Sequence, residues 1–242
     1  MKIQIKKIIH KSVFALALGC LSQNVISEPF HWNSYELKVS PKNVAPLFQL
    51  LDETFSIDDK PFKVTLSETI FTDRDTTHNL VISSADVDAI SSIMSDEYKA
   101  ERESFMVRLH QLAEVQSKVT GVRNYTTNIP EDGSDTKKEN SFIAFWDMEI
   151  KAADAPKFVE SFMKIVPKTK DIRTNHILGM GTYQFGRGKT THYVLHTFES
   201  YSDLKNSLDS YMKKGAMAEY FNEIKDISTP AGNTVSKVVK QW

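Results

Sequence analysis

Apolar and polar positions alternate every second residue in several short stretches, separated by segments with a period near 3.6, and the whole succession occurs twice. Tyr35, Leu37 and Val39 alternate with Glu36 and Lys38, the pattern of a strand whose two faces differ. Ser40-Pro41 stops that strand and opens a helix, with Ser40 as N-cap and Pro41 at the first helical position. Val44, Leu47, Phe48 and Leu51 give the helix its apolar stripe. The second half opens in the same way, with a strand over Phe145 to Ile150, Asp154 as cap, Pro156 early in the helix, and Phe158, Val159, Phe162 and Met163 as stripe.

A hairpin follows in each half. Val64 to Phe71 and His78 to Ser83 flank Asp73-Arg74-Asp75, while Ile177 to Phe185 and Thr191 to Phe198 flank Gly186-Arg187-Gly188-Lys189. Phe71 with Thr76-Thr77-His78 and Phe185 with Thr190-Thr191-His192 repeat one pattern at one interval (192 − 78 = 114). Next, Ser83 with Asp86 and Ser200 with Asp203 have the spacing of a helix cap and an acid at the third position. Further helical stretches surround Phe105, Leu109 and Leu112, and Tyr220, Phe221 and Ile224. Each half ends in a strand, Val119 to Asn128 and Thr234 to Trp242. The polar, breaker-rich segment 130–140 between them reads as a linker.

Strand, helix, strand, strand, helix, strand is the split βαβ order. In this order and its repetition the chain resembles the dimeric α/β-barrel superfamily, of the antibiotic-biosynthesis-monooxygenase-like or stress-responsive type. The resemblance implies an α+β fold of two ferredoxin-like βαββαβ units in tandem, 28–129 and 141–242, with their antiparallel sheets packed together as an intramolecular α/β barrel. A sheet covered by helices on one face has its other face bare, which is the physical reason for pairing it with a second sheet. Superfamily members include cofactor-independent monooxygenases, haem-degrading enzymes, haem peroxidases, chlorite-decomposing enzymes, small isomerases and stress proteins. The fold therefore implies a place for a ligand, between sheets or between sheet and helices, and not a reaction.

The first 27 residues change the picture of where such a protein works. Lys2, Lys6, Lys7 and Lys11 precede a short apolar core, Ser12 to Leu21, and Val25-Ile26-Ser27 suits a signal peptidase, so an export signal cleaved before Glu28 and a periplasmic or secreted protein are expected. The alternative is lipidation at Cys20 within Ala17-Leu18-Gly19-Cys20, which would tether the protein to a membrane. Cys20 is the only cysteine, so the folded part has no thiol, disulfide or cysteine metal ligand. No other apolar run reaches the about 20 residues needed to span a bilayer. Removing the four leader lysines from 30 basic residues leaves 26 against 31 acidic ones, a net of −5. Nucleic acid is therefore not an expected partner.

Candidate chemistry is sparse. His78 and His192 occupy equivalent positions; the one in the second half could face the cavity as an axial haem ligand or proton acceptor, though a Thr-Thr-His that starts a strand beside a hairpin is chiefly a structural pattern. His196 shares a strand face with His192, but four residues of strand span roughly 13 Å, too far for one metal ion, and no metal site is expected. Gly188-Lys189-Thr190 imitates a phosphate-binding loop, yet Tyr183 stands where the loop needs its first glycine. The glycines at 179, 181, 186 and 188 point to a bulge or a close backbone approach, and Arg187 at the turn is placed to meet an anionic group. Tyr35 and Trp146 are equivalent aromatics of the two first strands (146 − 35 = 111). No Gly-x-Ser-x-Gly nucleophile elbow occurs.

The catalytic candidates are thus His192, His196 and Trp146, and the ligand-binding candidates His78, Tyr35, Tyr183 and Arg187. The expected function is binding of a small, largely apolar molecule in the barrel cavity, without a cofactor. The alternatives are an oxidoreductase, either cofactor-independent or haem-dependent, and a non-catalytic stress or structural module. The chain is expected as a monomer closed on itself or as a homo-oligomer.

Overall fold

The computed structural model describes residues 29–57, 59–127, 139–172 and 176–242. The expected leader, Cys20 and nearly all of the expected linker lie outside these residues. In chain order the described elements are β1 (Phe30–Val39), α1 (Val44–Phe55), β2 (Lys63–Thr72), β3 (His78–Ser84), α2 (Val87–Ser92), α3 (Lys99–Leu112), β4 (Ala113–Thr126), β5 (Phe142–Ile150), α4 (Ala155–Lys168), β6 (Leu178–Phe185), β7 (His192–Phe198), α5 (Tyr201–Lys213), α6 (Gly215–Ile224) and β8 (Ser228–Gln241).

The strands close into one antiparallel barrel in the order β1-β3-β2-β8-β5-β7-β6-β4. Each half contributes its strands in the same spatial order, β4-β1-β3-β2 and β8-β5-β7-β6, and β2 pairs with β8 while β4 pairs with β6. Closure gives every strand two neighbours and removes the unpaired edges an open sheet would present.

Period-two patterning sorts the side chains into two environments. Leu37, Leu66 and Leu80 point outward and pack with Leu47, Leu50 and Leu51 of α1 and Leu109 of α3. Met148, Ile150 and Met180 do the same against Phe158, Phe162, Ile165 and Val166 of α4. Burying each of these large side chains contributes about 1.5–3 kcal/mol, so the helix layers fix the outer face of the barrel. The interleaved residues Trp32, Ser34 and Glu36 of β1, and Ile143 and Phe145 of β5, line the interior.

Three features differ from the sequence reading. The last strand of each half starts six residues before the expected position, at Ala113 instead of Val119 and at Ser228 instead of Thr234. The extra residues of β8 have little apolar alternation, and in β4 Ala113 and Val115 alternate with Glu114 and Gln116 directly after the helix; both stretches pair with the far ends of β1 and β5, Val39 with Ala113 and Ile150 with Ser228. The helix after β3 is capped by Asp86, which accepts from the Asp88 amide at 2.9 Å, and Ser83 belongs to the lumen wall. In the second half Ser200 is the cap, accepting from the Asp203 amide at 3.1 Å. Ahead of α1, Pro41–Asn43 forms a 3₁₀ turn, and neither Ser40 nor Asp154 caps its helix through its side chain.

Candidate ligand-binding site

Four adjacent strands, β1, β3, β2 and β8, present Ser34, Asn79, Ser83, Thr65, Ser67, Thr234 and Ser236 to the barrel interior. The facing strands β5, β7 and β6 present Ile143, Phe145, Tyr193, Leu195 and Tyr183. Between the two walls lies a partly open cavity of about 70 Å³, room for about five water molecules. The chamber therefore has a hydroxyl and amide wall and an aromatic wall.

The rings of the aromatic wall are held by the backbone around them. Trp32 donates from Nε1 to the Tyr193 hydroxyl at 2.8 Å, and the ring centroids of Trp32, Tyr183 and Tyr193 lie 5.1–5.7 Å apart. A Cβ at Gly121 would stand 2.4 Å from the Trp32 ring, and one at Gly181 would stand 2.4 Å from the Tyr193 hydroxyl. Glycine on β4 and β6 is what lets these rings lie against the strands inside the barrel.

The hairpin end of the lumen is crossed by charge. Arg187 Nη2 donates to Glu36 Oε1 at 2.6 Å, and Arg74 Nη1 donates to the same oxygen at 3.3 Å and to Thr234 Oγ1 at 3.1 Å. Arg74 Nη2 pairs with Asp147 Oδ2, and the Tyr183 hydroxyl donates to Asp147 Oδ1 at 2.5 Å. The Arg187 guanidinium then stands 5.2 Å from the Tyr183 ring centroid, which closes a ring of five side chains. Asp147 is 1% exposed and Glu36 4%; buried charges persist only when paired and hydrogen-bonded in this way.

Burial, and then the Asp147 carboxylate, push the Tyr183 phenol well above its ordinary value, so it remains a neutral donor. Burial disfavours the Arg187 charge, but the Glu36 hydrogen bond and the neighbouring negative groups outweigh it and raise its pKa.

Of the residues singled out by sequence, Tyr183 and Arg187 meet in this ring. His78, Tyr35, Trp146, His192 and His196 stand on the outer face of the barrel, towards the helices, and none of them lines the lumen cavity. His192 packs edge-on against Phe158 with centroids 5.6 Å apart. The His196 ring lies 4.2 Å from Phe198, 5.5 Å from Tyr211 and 5.6 Å from His176, and His176 Nε2 is 3.2 Å from Asp203 Oδ2. Trp146 packs with Ala144, Phe198 and Leu204. Tyr35 packs on the first-half core, where burial raises its pKa.

The repeated Thr-Thr-His has the same contacts in both halves. Thr77 Oγ1 accepts from the Val39 amide at 2.8 Å and reaches His78 Nδ1 at 2.9 Å. Thr191 Oγ1 accepts from the Ile150 amide at 2.9 Å and reaches His192 Nδ1 at 2.9 Å. The motif ties the start of one strand to the end of its neighbour, and burial lowers the pKa of both histidines.

Sequence reasoning missed Glu36, Arg74, Asp147, Trp32 and Tyr193. One signal was present: Glu36 and Asp147 are 111 apart (147 − 36), the interval that relates Tyr35 to Trp146. Among the described residues no three His, Cys, Asp or Glu are grouped to hold a metal ion.

No protein-family model matches the chain, and no curated protein matches it in sequence. Solved structures do share its fold. A candidate monooxygenase from Fusobacterium nucleatum aligns with a TM-score of 0.61 at 14% identity, over 91% of this chain and 95% of its own. An anthrone oxidase-like protein aligns with a TM-score of 0.61 at 10% identity, over 90% of this chain and 95% of its own. A haem-binding protein from Thermus thermophilus aligns with a TM-score of 0.53 at 9% identity, over 88% of this chain and 92% of its own. At these identities the likeness is one of fold, the ferredoxin-like α/β barrel.

Haem does not fit the residues as they are packed. On the outer face His192 is packed against Phe158, and His196 against Phe198 and Tyr211. Among the described residues the lumen lining holds no histidine, cysteine or methionine, and about 70 Å³ is far too small for a macrocycle.

Proposed function

We propose that the chain is an exported α/β-barrel protein that binds a small molecule in the barrel lumen. The observation that carries this reading is the two-sided chamber: rings on β5, β6 and β7 to cover an apolar body, and hydroxyl and amide groups on β1, β2, β3 and β8 to meet polar atoms along one edge. The enclosed space is small and partly open, so the largest ligand it suits is a single ring with one or two oxygens that extends out through the open side. Trp32 stands inside the chamber and is hydrogen-bonded to Tyr193, so its fluorescence is a direct reporter. Titration of natively purified protein with small aromatic compounds, alongside native mass spectrometry, is expected to show saturable binding that Trp32→Phe makes silent in fluorescence but not in calorimetry. Failure of every such compound to bind would remove the reading.

A second reading is oxidation of that ligand without a cofactor. It is supported by the oxidisable group Trp32, Tyr193 and Tyr183 within the lumen and by fold neighbours named as a candidate monooxygenase and an anthrone oxidase-like protein. Oxygen uptake that requires the bound ligand and is lost in Tyr183→Phe is the expected result; binding without uptake leaves the simpler reading. Haemin tests the rival placement at the outer face: a Soret band that disappears in His192→Ala and His196→Ala would favour it.

The common strand order and the doubled Thr-Thr-His contact support descent of the two halves from one duplicated unit, closed within a single chain. The leader sequence supports export, with cleavage before Glu28; intact mass of the protein recovered from the periplasm distinguishes this from lipid attachment at Cys20.

A further inference from the structure

Resting on the lumen as the ligand site, we propose that Arg187 selects the ligand, its guanidinium donating a hydrogen bond to an uncharged acceptor oxygen, a carbonyl carried by a small aromatic body. The two hairpin arginines lie one position out of register in the repeat (187 − 74 = 113, against 114 for the flanking residues) and are used unequally. Arg74 makes three polar contacts, with Glu36, Thr234 and Asp147. Arg187 makes one hydrogen bond, through Nη2 to Glu36, and its buried Nε has no acceptor among the described residues. Nε itself is walled off, but the part of the guanidinium that lines the cavity keeps N–H donors that meet no acceptor, and an oxygen in the lumen can take one.

The donor is fixed in place. Gly186 has φ +88°, and a Cβ there would lie 2.0 Å from the Lys118 carbonyl oxygen. The turn is therefore wedged against β4, and Arg187 is directed back into the barrel, where its guanidinium stacks on Tyr183. The side chain is 13% exposed and lines the same cavity as Trp32, Phe145 and Tyr193. A ligand that meets the guanidinium has the aromatic wall beside it.

Charge decides the class of acceptor. Arg74 and Arg187 are balanced by Glu36 and Asp147, two against two, and Tyr183 is neutral. A carboxylate ligand would be a fifth buried charge beside Glu36, whereas a carbonyl adds none. Arg123, elsewhere on the lining, stands 4.7 Å from the Phe30 ring and has interactions of its own.

The test uses the intact chain and three probes of similar size: acetophenone, ethylbenzene and benzoate. Calorimetry is expected to give acetophenone an affinity about tenfold or more above both others, the scale of one hydrogen bond to a charged donor. The infrared stretch of ¹³C-carbonyl acetophenone is expected to move to lower frequency on binding, and to lose that shift in Arg187→Lys, which keeps the positive charge opposite Glu36 but lacks the additional N–H donors of the guanidinium. Near-ultraviolet circular dichroism confirms that the variant is folded; should it not be, Arg187→Gln takes the same measurement. Equal binding of acetophenone and ethylbenzene, tighter binding of benzoate, or a shift retained in the variant overturns the role of Arg187 while leaving the lumen as a site. Binding of none of the three overturns both.

Discussion

Neighbouring residues of β7 belong to different environments. His192, Val194, His196 and Phe198 face the helices, where rings and aliphatic groups fill the space. Tyr193 and Leu195 face the lumen, where a cavity, an aromatic cluster and a ring of paired charges coexist. The outer face carries the repeated histidines yet is packed for stability; the inner face carries polar groups that look like an ordinary solvent-facing alternation but are enclosed. Polar and buried together, rather than polar alone, mark the inner face as the candidate site.

The comparison is broken most severely at Asp147. Replacing it by alanine leaves Arg74 and Arg187 to share Glu36 as their one acid and Tyr183 without its acceptor, and a loss of about 3–5 kcal/mol in urea-induced unfolding is expected. A loss below about 1 kcal/mol, the scale of an exposed pair, would mean that water enters this end of the lumen freely. Gly181→Ala tests the fit of the aromatic wall. The new Cβ would lie 2.2 Å from the Val122 carbonyl oxygen and 2.4 Å from the Tyr193 hydroxyl, so about 1–3 kcal/mol of destabilisation is expected, together with a changed Trp32 emission.

On the outer face, Thr77→Val and Thr191→Val each remove the hydroxyl that accepts from the end of the neighbouring strand. Each is expected to cost about 0.5–1.5 kcal/mol, and near-equal values would show that the two copies of the motif do the same work. The smallest expected effect is one of pH. Burial depresses His78 and His192 below the ordinary 6.5 in the folded state, so as pH falls the unfolded chain takes up protons first. Stability should be fully present above pH 6.5 and decline as pH falls through the lower folded values. His78→Phe with His192→Phe should flatten that decline in a series of chemical unfolding curves.

Much of the fold was legible. The alternation of Tyr35, Leu37 and Val39, the stripe Leu47 and Leu51, and Ser200 with Asp203 all lie where the pattern puts them, because period and capping are local properties of the chain. The first residues of β8 were not legible, since pairing with β5 rather than their own composition makes them strand, and those of β4 alternate only briefly, straight after α3. Tyr183 and Arg187 drew notice through the hairpin glycines. Glu36 and Asp147 did not, because an acid on the polar face of a strand has the same local signature whether that face meets water or another sheet.

The sequence by itself determined the succession of elements, their repetition and the division of each strand into an apolar and a polar face. Only the tertiary structure decided that the polar faces would enclose one another. It brought Glu36 to Arg187 across 151 positions of chain and Arg74 to Asp147 across 73. Periodicity reports that two faces differ; closure of the barrel, which depends on pairing β2 with β8 and β4 with β6, sets the dielectric surroundings of each face and so which residues can act on a ligand.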